Sequence, residues 1–111
     1  MLAIASSPLM AKPIQTTDIV QFGHSDGYSK AGKFVGTNWY NANLKIEEKN
    51  YYLLFGVQVG RDISYFQIFS SSKGQTEQDI VAVKEFFVKN GISYDDVKMQ
   101  AIAQIKKKLN I

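Results

Sequence analysis

The sequence contains no cysteine, one histidine, one tryptophan and two prolines among its 111 residues. Without cysteine, the chain has no disulfide, no thiolate ligand for zinc and no cysteine nucleophile. A zinc site normally uses three or four protein ligands, so one histidine without cysteine argues against such a site. No apolar run approaches the ~20 residues that a membrane-spanning helix needs. We therefore expect no metal, no cofactor and no transmembrane segment.

The composition that remains is typical of one globular domain. Apolar residues make up 45% of the chain and charged residues 21%, which argues against disorder. The formal net charge is +3, and three consecutive lysines near the end, Lys106 to Lys108, supply much of it. The helix dipole favours lysines in a last helical turn, so we interpret the run as structural. Binding to nucleic acid or another anionic surface is the alternative interpretation.

The first eleven residues resemble the second half of a bacterial export signal. A short apolar run is followed by Pro8 and, three residues later, by the small residue Ala11, an arrangement that suits cleavage before Lys12. No lysine or arginine precedes the run, so the signal would be truncated. We expect residues 1–11 to be this signal and residues 12–111 to form a single periplasmic or secreted domain. The alternative is a cytoplasmic protein in which residues 1–11 are an apolar arm.

The periodicity of the apolar residues changes once along the chain. Alternation with a period of two extends to about Ser72 and predicts strands, whereas helical spacing begins at Thr76. Capping patterns at Thr76 and Ser93 predict two helix starts. Residues 12–17 are interpreted as a lead-in, the glycine-rich residues 23–32 as a loop, and residues 48–50 as a turn. The predicted fold class is α+β: an antiparallel meander of four or five strands, followed by two C-terminal helices packed on one sheet face.

Aromatic side chains dominate the predicted strands on both faces of the sheet. Two helices can cover one face, so the second face is expected to be an interface. The partner-binding candidates are Trp39, Tyr40, Tyr52 and Arg61. Most strand aromatics are buried, so the first interpretation is that the N-terminal segment or residues 23–32 cover this face and the aromatic residues belong to the core. As an interface, the face favours a protein partner, with a homodimer as one form of it, over stacking on single-stranded nucleic acid.

No motif in the sequence indicates catalysis. Gly27, Gly32 and Lys33 have the spacing of a phosphate-binding loop, but Phe34 occupies the position of the magnesium-binding hydroxyl. His24 lies near Asp26 and could act as a general base only in a small enzyme, a class that we do not favour. We therefore predict a non-enzymatic binding protein, such as an inhibitor, an immunity-type protein or an accessory subunit. The alternative is an intracellular phage- or plasmid-type accessory protein that binds nucleic acid or an enzyme acting on it.

Overall fold

A computed structural model describes residues 12–58 and 62–111 of the chain. Four strands form one antiparallel sheet in the order β1-β2-β3-β4, and two helices follow. The elements are β1 (Ile14–Tyr28), β2 (Phe34–Ile46), β3 (Lys49–Gln58), β4 (Asp62–Phe69), α1 (Glu77–Lys89) and α2 (Tyr94–Leu109). The predicted α+β class and meander are confirmed, with four strands. The proposed export signal and part of the turn before β4 lie outside the described residues.

The core lies between one sheet face and the two helices. Strand alternation directs every second side chain of β2, β3 and β4 toward the helices. Leu44, Leu53, Phe55, Phe87 and Ile105 are completely buried within this cluster. Aromatic edge contacts hold α1 to the sheet, since the rings of Tyr51 and Phe87 meet at 88° with 5.5 Å between centroids. The buried strand residues of the cluster belong to one face, so both helices pack on the same side of the sheet.

Both helices begin where the capping patterns predict. The Thr76 hydroxyl accepts a hydrogen bond from the Asp79 amide, and the Ser93 hydroxyl accepts one from the Asp96 amide. These bonds satisfy amide groups that the first helical turn leaves without a partner. Gly91, at a φ of 67°, follows the end of α1, as the Asn90-Gly91 pair predicts.

The first strand differs most from its prediction. Residues 12–17 are not a loose lead-in, because β1 begins at Ile14, and residues 23–28 are not a loop. They pair with residues 34–39 of β2 and so lengthen the sheet instead of folding over it. Open space surrounds Gly23 and Gly27, so neither glycine marks a loop or a close packing contact here. The turn between β2 and β3 also lies earlier than predicted, at Glu47 and Glu48, with Glu47 at a φ of 56°.

A row of polar side chains on α2 covers the outer edge of β1. Gln104 accepts a hydrogen bond from the Thr16 amide at 2.8 Å and donates one to the Ile14 carbonyl at 3.0 Å. One turn away on either side, Gln100 donates to the Lys12 carbonyl and Lys108 donates to the Thr16 carbonyl. An unpaired strand edge exposes backbone groups that invite association with other chains. Helix α2 therefore covers the first part of this edge, up to Thr16.

Candidate binding face

The sheet face opposite the helices is the main candidate site, and we call it the open sheet face. Its side chains come from alternate positions of β2, β3 and β4 that the strand register brings side by side. They include Trp39, Asn41 and Asn43 on β2, Tyr52, Leu54 and Gly56 on β3, and Tyr65, Gln67 and Phe69 on β4, and Lys45 ends the row on β2. In the described part of the chain, neither helix packs on this face.

Trp39 lies beside Gly56 on this face. Its backbone pairs with that of Gly56, and its ring lies across this glycine. A Cβ atom at position 56 would come within 2.9 Å of Trp39 Cζ3 and of Thr37 Cγ2, so the missing side chain makes room for the indole. The ring of Tyr65 meets the indole edge-on at 5.5 Å, and the indole Nε1 donates to the Ser25 hydroxyl at 2.9 Å. The indole is therefore held in one orientation and is half-buried.

The part of the open sheet face around Tyr52 contains a buried ring and a buried amide oxygen. Phe69, which pairs with Tyr52, is buried, and Gln67 Oε1 is buried without a hydrogen bond from a described residue. Tyr52 and Leu54 are half-buried. Asn43 donates to the Asp18 carboxylate at 2.9 Å, which fixes polar groups at the β1 side. The accessible apolar surface of this face therefore consists of the exposed Tyr65 and the half-buried Trp39, Tyr52 and Leu54.

The structure brings together two of the four predicted contact residues. Trp39 and Tyr52 share the open sheet face, whereas Tyr40 points to the other side and stacks on Phe55 at 5.2 Å and 7°. Arg61 lies outside the described residues. Tyr65 is absent from the four candidates, although its position opposite Gly56 across the β3–β4 hairpin brings its ring to Trp39. A bulge between Tyr65 and Ile63 then turns Ile63 toward the core, where alternation alone would not place it.

His24 lies on the helix side of β1, where it contacts two side chains and no nucleophile. Its Nδ1 is 2.6 Å from Asn38 Oδ1, and its Nε2 is 2.7 Å from Asp26 Oδ1. These two hydrogen bonds, first that to Asn38 and then that to Asp26, raise the pKa of His24 above its usual value. The neighbouring Ser25 hydroxyl bonds to Trp39 on the opposite face. The histidine is therefore a partly exposed cross-strand link between β1 and β2.

One cleft of about 430 Å³ lies between the β2–β3 turn and the end of α1. Tyr51 forms part of its wall, and burial raises the pKa of this phenol. Lys49 lies over the Phe86 ring, with its Nζ 4.5 Å from the ring centroid. The carboxylates of Glu47 and Glu48 are exposed at the rim, so the cleft holds no enclosed pair of acid and base groups.

The β1–β2 hairpin continues beyond the last described residue of β3. Among the described residues, 34–36 of β2 pair with β1 alone, and we call residues 26–36 the arm. At its tip, the Tyr28 and Phe34 rings lie 5.8 Å apart and are 78% and 57% exposed. The turn between them is closed by bonds from the Ser29 amide to the Lys33 carbonyl and from the Gly32 amide to the Ser29 carbonyl. The phosphate-loop spacing therefore falls on a hairpin turn and not on a helix start.

Residues 12–58 and 62–111 show neither a metal-binding cluster nor a membrane span. No group of three or more histidine, aspartate or glutamate side chains in these ranges could hold a metal ion. Among these same residues, no helix has the length and apolar character to cross a membrane. Comparison with protein-family models, with curated protein sequences and with solved structures found no match.

Proposed function

We propose that this chain is a non-enzymatic binding protein that captures another protein on its open sheet face. The observation that carries the proposal is Trp39, an indole oriented by Gly56, Tyr65 and Ser25 on a face that neither α1 nor α2 covers. Tryptophan and tyrosine are enriched among the residues that dominate the energy of protein interfaces. A ring that is already held in place loses little conformational entropy when a partner binds.

The charges on this face favour a protein over nucleic acid. Asn41, Asn43 and Gln67 interleave with the aromatic residues. At the end of this face, Asn43 bonds to the Asp18 carboxylate and Lys45 follows one alternation further along β2. Single-stranded nucleic acid needs basic groups that follow its backbone beside the stacking rings. An aromatic centre with amide side chains around it is typical of a protein interface. An inhibitor, immunity-type protein or accessory subunit would each use such a face.

Photo-crosslinking in the source cells tests the proposal and can capture a partner of any identity. A benzoylphenylalanine residue placed at Leu54 or at Tyr65 would lie on the accessible part of the face. We expect each variant to give the same discrete adduct with another protein on irradiation. The matched control carries the probe at Met99, which is 69% exposed on α2.

The identity of the adducts decides between the interpretations. A shared protein adduct at positions 54 and 65 that is absent at position 99 would support the proposal. Equal labelling at all three positions, or no protein adduct at 54 and 65, would refute it. An adduct of twice the chain mass would instead assign the face to a homodimer.

A further inference from the structure

We propose that the tip of the arm binds the surface of a membrane that is rich in anionic lipid. The proposal is independent of partner capture, because Tyr28 and Phe34 lie on the helix side of the hairpin, opposite to Trp39. Its basis is the joint exposure of two aromatic rings and two lysines at the end of the hairpin that extends past the last described residue of β3.

The apolar part of the tip has no packing partner in the described part of the protein. Tyr28 and Phe34 pair across the hairpin and contact each other, and neither belongs to the core cluster or to the aromatic residues packed on it. Farther back on the same hairpin, Phe22 is 58% exposed, whereas the exposed Val20 pairs with Asn41 and belongs to the open sheet face. Two exposed aromatic rings in contact with each other form an apolar patch, and such patches mark interaction sites. Tyr28, an aromatic ring with one polar end, suits the boundary between lipid headgroups and acyl chains, and Phe34 adds apolar surface beside it.

The charges at the tip match an anionic surface. Lys30 and Lys33 are exposed in the turn, and residues 27–36 contain no acidic residue. Neither lysine forms an ion pair with a described residue. The closed turn between Ser29 and Lys33 holds both lysines at the same end as the two rings. Each lysine near an anionic leaflet contributes about 1 kcal/mol to binding.

The distribution of charge along the hairpin favours a membrane surface over single-stranded nucleic acid as the ligand of the tip. A nucleic acid strand needs a basic groove that follows several phosphates beside its stacked bases. Behind the tip, the hairpin carries Asp26 and then Asp18, so positive charge does not continue along it. Val20 also offers no ring on which a base could stack. A membrane surface requires only that the apolar tip and its two lysines reach the headgroups together.

Vesicle co-sedimentation of the complete chain is the first experiment. The protein is mixed with phosphatidylcholine vesicles or with vesicles in which about one third of the lipid is phosphatidylglycerol. We expect binding only to the second set. The double variant Lys30→Gln/Lys33→Gln should bind these vesicles about 30-fold more weakly than the wild type, because it loses the contributions of two lysines. Its matched control, Lys106→Gln/Lys107→Gln, removes the same net charge from the end of α2 and should bind nearly as well as the wild type.

Two further measurements examine the aromatic residues and the competing ligand. Tryptophan at position 34, introduced by Phe34→Trp, should shift its emission to shorter wavelength with the anionic vesicles, against the background of Trp39 in the wild type. Far-ultraviolet circular dichroism confirms that each variant is folded. An equal loss in both lysine pairs, no vesicle binding, or no emission shift would overturn the proposal. Binding of a single-stranded oligothymidylate, lost in the tip variant while vesicles are ignored, would assign the tip to nucleic acid.

Discussion

The absence of a side chain at Gly56 determines how Trp39 lies on the sheet. We expect Gly56→Ala to destabilise the fold by about 1–3 kcal/mol, as overpacking does, because the added Cβ would press on the indole and on Thr37. Chemical denaturation followed by circular dichroism measures this change. The control is Gly27→Ala, where open space surrounds the added methyl group. Equal unfolding free energies for the two variants would contradict this account of Trp39.

The hydrogen bonds of His24 make the pairing of β1 with β2 sensitive to pH. Both ring nitrogens face oxygen atoms, so the protonated ring donates two bonds and its pKa rises above the usual 6.5. The raised pKa adds stability that is fully present below pH 6.5 and is lost as the pH rises through the folded-state pKa. The chain has one histidine, so a proton NMR titration reports this group directly.

Substitution of Asn38 should lower this pKa. Asn38→Ala removes the acceptor that raises the His24 pKa the most, so we expect this pKa to move down toward 6.5. The control is Asn43→Ala. Asn43 lies on the same strand but bonds to Asp18 and not to His24, so its loss should leave the His24 titration unchanged. A titration that is identical in the wild type and Asn38→Ala would exclude this hydrogen bond in solution.

At the scale of elements, Gln104 joins α2 to the edge of β1. We expect Gln104→Ala to lower the free energy of unfolding by about 1–3 kcal/mol, because the amide of the fully buried Thr16 would lose its acceptor. Native-state hydrogen exchange should show the Thr16 amide exchanging faster in this variant. Gln78→Ala, an exposed glutamine-to-alanine change in the first turn of α1, should leave both quantities unchanged. An unaltered Thr16 exchange rate would show that Gln104 does not protect the edge.

The sequence predicted the helices and strands that depend on interactions between residues close together in the chain. The hydroxyl caps at Thr76 and Ser93 and the strand alternation of β2, β3 and β4 depend on residues close in sequence, so the helices and the meander followed from them. The extent of β1 did not, because glycines that suggest a loop are tolerated where a hairpin continues in open space. The bonds from Gln104 to β1 could not be predicted either, because a polar residue outside the apolar face of a helix is expected to face solvent.

The candidate site was predictable in part for the same reason. Alternation alone separates Trp39 from Tyr40 and joins it to Tyr52 across the sheet. It does not reveal that Gly56 leaves room for the indole or that Tyr65 supports it, because both contacts depend on the cross-strand register. The bulge before Tyr65 changes the face of Ile63 in a way that no period-two pattern contains.

At the scale of the whole molecule, export is the prediction with the widest consequences. We expect the native product to occur in the periplasmic fraction with Lys12 as its first residue, and the intact mass of the product in each cell fraction measures this. Such a cleavage would keep the contacts described for the domain, since the Lys12 carbonyl accepts from Gln100 and its ammonium group lies 3.7 Å from Glu47. A cytoplasmic product that retains residues 1–11 would contradict export and favour an intracellular partner.

The order of strands in the sheet also has a consequence for the folding pathway. Every strand pairs with its neighbour in the chain, so each hairpin can close over a short loop with a small entropic cost. The bonds from α2 to β1 join residues 88 to 92 positions apart and close nearly the entire chain into one loop. We expect the docking of α2 on β1 to be the last step of folding, so that pulse-labelled amides of β3 are protected before that of Thr16. Until that step, the part of the β1 edge up to Thr16 would be unpaired in a newly made chain, and slow docking would leave it open to aggregation.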